Sequence, residues 1–176
     1  MSFNNFPDIG EIIKVGGFLH ANPTSTGSEA GWGTKVGYAA KGLSIQPNIE
    51  RMPLTTMETG IIPTMVIYTG CTYNIEIGIK NYNEESLALC FPQFASTTGV
   101  TLPGSLKTGH DFFDDAVTLL YVPDDVLNHP AVLISNAVAL FNFGAALHFH
   151  HTSEAIFQAS FLGGSVQIDK LSEIII

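Results

Sequence analysis

The segment TYNIEIGIK, residues 72–80, decides the fold class of this chain. Its apolar positions fall on one face and its polar or small positions on the other. The apolar face consists of Tyr73, Ile75, Ile77 and Ile79, and the other consists of Asn74, Glu76, Gly78 and Lys80. This period of two is typical of a β-strand that is half buried. We therefore expect a strand here whose isoleucines enter a core.

Strand-like patterns recur along the chain, and turn residues such as Pro123-Asp124-Asp125 separate the later ones. The further expected strands are residues 12–20, 36–45, 66–69, 116–122, 131–140, 145–151 and 155–162. Two of them, 131–140 and 145–151, are apolar on both faces, which fits either burial against a neighbouring subunit or a buried central pair in a monomer. The sequence thus predicts a mainly β fold, a β-sandwich or barrel.

One short α-helix is expected beside the strands, over residues 83–91. Asn83 can cap its N-terminus, Glu84 and Glu85 suit the positive end of the helix dipole, and Pro92 ends it. The length of 176 residues suits one domain, residues 1–176. We therefore expect a single β domain with one short flanking helix.

Two irregular regions interrupt the pattern. Residues 21–34 are rich in Gly, Ser and Thr and predict an exposed loop or arm. Trp32 within this loop either folds back on its own domain or anchors against a neighbouring subunit, because its ring is poorly placed in water. Residues 96–115 predict an irregular insertion, either a long loop or a contact arm.

The composition limits the classes of partner. The chain has 16 acidic and 7 basic residues, a net charge of −9, which argues against a basic face that grips phosphate backbones. Its hydrophobic fraction of 45% indicates that other subunits cover some apolar surface. We expect no secretory signal and no membrane segment, and we expect Cys71 and Cys90 to be semi-buried free thiols.

The sequence contains no complete nucleophile, phosphate-loop or zinc-cysteine motif. His148 and His150 are alternate residues of an expected strand, so with Glu154 they could share a metal, as in the first half of a cupin motif. Only 13 residues follow Gly163, too few for the second half. We therefore favour ordinary hydrogen-bonding histidines and predict no catalytic residue, cofactor or metal.

Acidic residues could in principle supply a general acid and base. The candidates are Glu84, Glu85, Asp111, Asp114, Asp115, Asp124 and Asp125. Adjacent aspartates at turns are usually solvated turn formers, so that interpretation is preferred here.

Three stretches, in their order along the chain, resemble the tail tube (major tail) proteins of tailed bacteriophages. They are GTKVGY at 33–38 with KGLSI at 41–45 and NIE at 48–50, then the unit 62–91, and EAIFQASF at 154–161. The resemblance implies a sandwich or barrel with a flanking helix. It also implies hexameric rings that stack into a tube, through which DNA passes during ejection.

The resemblance further implies a non-enzymatic virion protein of the tail, assembled in the host cytoplasm. Its partners would be copies of itself and other tail proteins, with no membrane, and DNA would pass without specific binding. The loop at 22–34 or the region 96–115 would then reach a neighbouring ring. Three alternatives stay open. The first is another phage part, namely a tail terminator, a head–tail connector or a decoration protein, and the second is a cupin-like metalloenzyme. The third is a carbohydrate-binding module, which only Trp32 and the tyrosines support.

Overall fold

The computed structural model describes residues 16–39, 42–54, 65–80, 89, 95–96, 99–100, 112–139 and 157–176. These residues are mainly β, as the sequence predicts, and no run of seven or more of them is α-helical. The expected helix at 83–91 lies outside the described residues except for Leu89, and so does the expected strand at 145–151.

The main sheet has eight antiparallel strands. They are β1 (Gly17–Ala21), β2 (Thr34–Ala39), β3 (Leu43–Leu54), β4 (Met65–Ile79), β7 (Val117–Pro123), β8 (Ala131–Ala139), β9 (Phe157–Gly163) and β10 (Ser165–Asp169). Their spatial order is β2-β1-β7-β8-β9-β4-β3, and β10 pairs with β8. At the start of the region 96–115 lies a two-stranded pair, β5 (Ala95–Ser96) with β6 (Gly99–Val100), and at its end lies a 3-10 turn over Phe112–Asp115.

Strand β8 belongs to two half-sheets. Its first part pairs with β7 and β10, and its end pairs with β9 through Val138↔Leu162 and Ala139↔Phe161. Asn136, just after the residues that pair with β10, has a φ of +53°, a left-handed conformation that Asn tolerates better than most residues. Strand β8 therefore carries hydrogen bonding from one half-sheet into the other.

The main core lies between the half-sheets. It includes Leu19 and Val36 from one half-sheet and Ile75, Ile77 and Phe161 from the other, all at most 2% exposed. At one end the Lys80 backbone N–H donates a hydrogen bond to the Tyr38 carbonyl at 2.8 Å, which joins the end of β4 to β2. The burial of Ile75, Ile77 and Ile79 confirms the alternation expected for residues 72–80.

Two expected strands have different limits in the structure. Residues 36–45 are not one strand, because Gly42, with a φ of +73°, lies between β2 and β3. Segments 66–69 and 72–80 are one continuous strand, β4. There, Glu50 pairs with Gly70 and Arg51 with Tyr68, so Thr69 is an extra residue and forms a bulge that keeps the pairing continuous.

A second, smaller core covers the outer face of β7 and β8. It comprises Leu120, Val122, Ala131, Leu133 and Ile174, with Trp32 and Leu171 packed against it. Of the two expected placements of Trp32, the structure therefore has the ring folded back on its own chain. The Trp32 loop, residues 22–34, is closed by hydrogen bonds from the Thr24 N–H to the Gly31 carbonyl (2.8 Å) and from Trp32 Nε1 to the Thr26 carbonyl (3.3 Å).

Replacing Trp32 by Ala should lower the free energy of unfolding by about 2–3 kcal/mol, because a half-buried ring and its hydrogen bond are lost from the second core. Urea unfolding followed by circular dichroism measures this. Leu127→Ala is the control, since that side chain is 90% exposed and its loss should cost less than about 0.5 kcal/mol. Equal destabilisation by both changes would contradict the packing role of Trp32.

Candidate functional site: the β3–β4 hairpin

The hairpin of β3 and β4 has two unlike halves. Near the core Leu43, Ile75 and Ile77 are buried, whereas every residue of 46–54 and of 65–71 is exposed. We call these two exposed segments the distal hairpin. At a rise of about 3.4 Å per residue, the nine residues 46–54 extend roughly 30 Å. A two-stranded ribbon of this length thus stands in solvent.

The distal hairpin is unusually apolar for an exposed ribbon. Its exposed large apolar side chains are Ile49, Met52, Leu54, Met65, Val66, Ile67 and Tyr68, with exposures from 37% for Leu54 to 68% for Tyr68. Isolated two-stranded hairpins are only marginally stable in water, and contiguous exposed apolar residues mark interaction surfaces. The distal hairpin is therefore a surface that a partner would stabilise.

The outer face of the hairpin changes character along its length. Near the body it carries polar pairs, Ser44 with Glu76 and Gln46 with Asn74. Farther out, the same face carries the pairs Met52 with Ile67 and Leu54 with Met65. Cross-strand partners lie side by side on one face, so these four apolar residues form one continuous cluster.

The opposite face of the distal hairpin continues the core-facing side of the strands. Its cross-strand pairs are Ile49 with Cys71, Arg51 with Tyr68 and Pro53 with Val66. The Arg51 guanidinium lies 5.5 Å from the Tyr68 ring centroid, a cation–π distance. Both faces therefore carry apolar side chains at the outer end of the ribbon, which is suited to contacts on two sides.

The free edge of the hairpin is less suited to partner contacts than its two faces are, because it is poorly able to pair with a further strand. Strand β3 is the last strand of the sheet, so its outer edge has no partner among the described strands. Pro47 and Pro53 are six residues apart, an even number, so both fall on the same side of β3. Proline has no N–H and is tolerated in a sheet where that group would face away from the neighbouring strand. The outer edge therefore lacks two donors, and partner contacts should use the faces.

Cys71 lies at the inner end of the distal hairpin. It is a free, exposed thiol, so the expected semi-buried environment is wrong for this residue. The reason is that the side chain stands on the ribbon beyond the core. Cys90 lies outside the described residues.

The structure gives Asp124 and Asp125 structural roles. Asp124 accepts a hydrogen bond from the Tyr38 hydroxyl at 2.7 Å. Asp125 accepts bonds from the Asn128 side chain (2.7 Å) and from the N–H groups of Leu127 (3.2 Å) and Asn128 (3.3 Å). The bond from the Asn128 side chain lowers the pKa of the Asp125 carboxyl below its usual value. This confirms Asp125 as the turn former that the sequence predicts.

Most of the other candidates for chemistry lie in parts of the chain that the structure does not describe. His148, His150 and Glu154 lie outside the described residues, as do Glu84, Glu85 and Asp111, so the cupin-like hypothesis stays a prediction. Asp114 and Asp115 lie in the 3-10 turn before β7. In the part of the chain that the structure describes, no three His, Cys, Asp or Glu residues are placed to hold a metal ion.

One feature of the sequence marks the distal hairpin, namely the continuous apolar run Met65, Val66, Ile67 and Tyr68. A continuous apolar run resembles a buried strand, and the pattern alone cannot show that nothing packs on it. No helix among the described residues is long and apolar enough to cross a membrane. No protein-family model matches the sequence, and a search of the curated proteins gives no match.

Proposed function

We propose that this chain is a structural subunit of a bacteriophage tail tube, forming stacked hexameric rings whose lumen conducts DNA during ejection. The observation that carries the proposal is the distal hairpin, which exposes seven large apolar side chains on both faces. Such a ribbon needs neighbours on both sides, and a closed ring supplies them to every copy. The ordered resemblance of three stretches to tail tube proteins adds the specific class.

We also propose that the fold is a β-sandwich or barrel with one short flanking helix. Two observations support the sandwich or barrel. Strand β8 is shared by both half-sheets, which enclose one core, and the Lys80 N–H to Tyr38 carbonyl bond brings the end of β4 to the edge strand β2. A sheet bent back on itself in this way protects part of its edge.

The strength of the hairpin contact favours rings over simple pairs. Full burial of a side chain of this size contributes about 1.5–3 kcal/mol, so half-exposed side chains such as Met52 and Val66 have about 1 kcal/mol each still to gain. All seven would contribute roughly 7 kcal/mol, within the ~4–15 kcal/mol that association costs in lost freedom of motion. A single contact is therefore weak, whereas a closed ring engages each copy twice and gains avidity.

The net negative charge of the chain is compatible with a tube through which DNA passes. Six copies at −9 each carry roughly −54 per ring, and this potential repels the phosphate backbone. DNA would thus pass without specific binding, and the partners would be copies of this chain and other tail proteins. In this proposal the chain is not an enzyme and needs no cofactor. Its place is the tail of the virion, after assembly in the host cytoplasm.

The same charge predicts a salt dependence. Raising the salt concentration from about 0.05 M to about 0.5 M should shift the protein towards larger assemblies, because shorter screening lengths weaken repulsion between copies and apolar contacts persist. Sedimentation velocity at fixed protein concentration measures the shift. Dissociation with rising salt would contradict an assembly held by apolar faces and would indicate one held by ion pairs.

Negative-stain electron microscopy of the purified protein across a concentration series tests the function. We expect stacked rings with a central hole wide enough for duplex DNA. A protein that stays monomeric at every concentration would refute the proposal. Closed single rings that never stack would favour a tail terminator, a head–tail connector or a decoration protein instead.

A further inference from the structure

His20 is a buried histidine near the end of β1. It is 3% exposed, and its Nδ1 atom has no hydrogen-bond partner among the described residues. An unsatisfied buried polar atom costs about 1–3 kcal/mol, so its retention calls for an explanation. In register, His20 lies between Lys35 of β2 and Leu120 of β7, next to an irregularity in the pairing of β1 with β2.

The Trp32 loop covers His20. The two rings meet edge to face, with centroids 5.5 Å apart and an interplanar angle of 82°. The imidazole donates a hydrogen bond to the Gly33 carbonyl, and because Nδ1 has no partner the donor is the Nε2–H group. The ring is therefore held as the neutral tautomer with its proton on Nε2, and Nδ1 keeps a bare lone pair.

A second proton would have to be placed on Nδ1, where the described residues offer no acceptor. The elements around the ring also disfavour a positive charge. On the outer face β7 and β8 present Leu120 and Leu133, and the C-terminal segment presents Ile174 to the same cluster. Two charged groups act on the imidazole: Lys35 of β2 repels a proton, and Glu29 of the loop's 3-10 turn attracts one.

Burial is the main cause that lowers the pKa of His20 below 6.5, and the Lys35 charge adds to it, against the opposing effects of the Gly33 bond and Glu29. The closed loop binds the proton less well than an open one, so the stabilisation is complete above about pH 6.5 and is lost as the pH falls towards the lowered value.

We propose that His20 is a proton-sensitive latch: in its neutral form it holds the Trp32 loop closed, and protonation at Nδ1 releases the loop. Release would uncover the apolar outer face of β7 and β8, including Leu120, Val122 and Leu133. Between Thr24 and Trp32 the loop has its own hydrogen bonds to the Gly31 and Thr26 carbonyls. That part can leave the sheet while Asn22 stays bonded to Thr118 of β7 and Thr34 stays paired with Ala21 of β1. The latch does not depend on the proposed tail tube function.

Fluorescence reports this event directly, because Trp32 is the only tryptophan of the chain. From about pH 8 to about pH 5 we expect a red shift of the emission and at least a twofold rise in quenching by iodide, with the transition below about pH 6.5. The far-ultraviolet circular dichroism should stay constant. His20→Gln, which cannot be protonated in this range, should lack the transition.

His129→Gln is the matched control. The Nδ1 atom of His129 is also buried without a partner in the described part of the chain, but His129 lies near the Asp125 carboxylate instead of an aromatic ring. This variant should keep the wild-type transition. A transition that persists unchanged in His20→Gln, that is lost in His129→Gln, or that coincides with loss of the circular dichroism signal would overturn the latch.

If His20→Gln does not fold, nuclear magnetic resonance of the wild-type protein decides. The imidazole Cε1–H of His20 and the indole N–H of Trp32 should then titrate with one midpoint. Different midpoints, or a Trp32 signal that does not change down to about pH 5, would also overturn the proposal.

Discussion

Introducing Met52→Lys and Ile67→Glu together should abolish ring and tube formation and leave the fold intact. The two residues are cross-strand partners on the outer face of the distal hairpin, so the introduced charges lie side by side and support the pairing of β3 with β4. A neighbour that packs on this face would have to desolvate both charges, at several kcal/mol each. We expect the apparent affinity between copies to fall by at least about 100-fold.

Ser44→Lys is the control for that variant. Ser44 is the cross-strand partner of Glu76 on the same outer face but in the polar half of the hairpin, so the change places one new Lys–Glu pair there. It should leave assembly unchanged. Sedimentation velocity and negative-stain images of the three proteins at equal concentration make the comparison. Normal tubes from the Met52→Lys, Ile67→Glu protein would show that the outer face of the distal hairpin is not an interface.

Gly33→Ala should be the most destabilising single change in the Trp32 loop. Gly33 has a φ of +89°, which residues with a Cβ atom rarely adopt. An added Cβ would also collide with the backbone carbonyl oxygen of Ala21. Backbone strain and overpacking together should cost about 3–5 kcal/mol. Thermal unfolding should show this as a fall in Tm of roughly 10 °C for a chain of this length.

Gly27→Ala provides the comparison within the same loop. A Cβ added at Gly27 meets nothing within 4 Å, so this change should alter the stability by less than about 0.5 kcal/mol. If both alanines have the same small effect, the conformation of Gly33 does not fix the loop. A large effect of Gly33→Ala alone would also explain how Trp32 is aimed at His20, because Gly33 sets the direction in which the chain enters β2.

Local sequence patterns predicted the strands correctly where one face of the strand packs against the core. The alternation of residues 72–80 was sufficient because one face of β4 meets the core, and the strands β7 and β8 followed from apolar runs with clear turns between them. The same patterns failed where exposure depends on the rest of the molecule. Residues 65–68 look buried because they are apolar, yet no described element covers them.

The limits of β3 show a second reason for failure. Pro47 and Pro53 normally argue against a strand, but an edge strand can accommodate them, and whether a strand lies at an edge is a property of the whole sheet. His20 shows a third reason. Its sequence neighbours give no sign that its ring is buried, because the burial comes from Trp32, which folds back 12 residues later. The candidate surface and the latch therefore needed the tertiary structure.

The sharing of β8 between the half-sheets also determines how the subunit would carry mechanical load. A force on the distal hairpin passes along β4 and β9 and enters the other half-sheet at Val138 and Ala139, or crosses from Lys80 to Tyr38. Both routes join strand ends, and a third follows the chain from β9 through Gly164, whose N–H donates to the Ser135 carbonyl, into β10. Load on the hairpin would therefore reach the other half-sheet at the ends of strands, and we expect the subunit to yield first at these junctions.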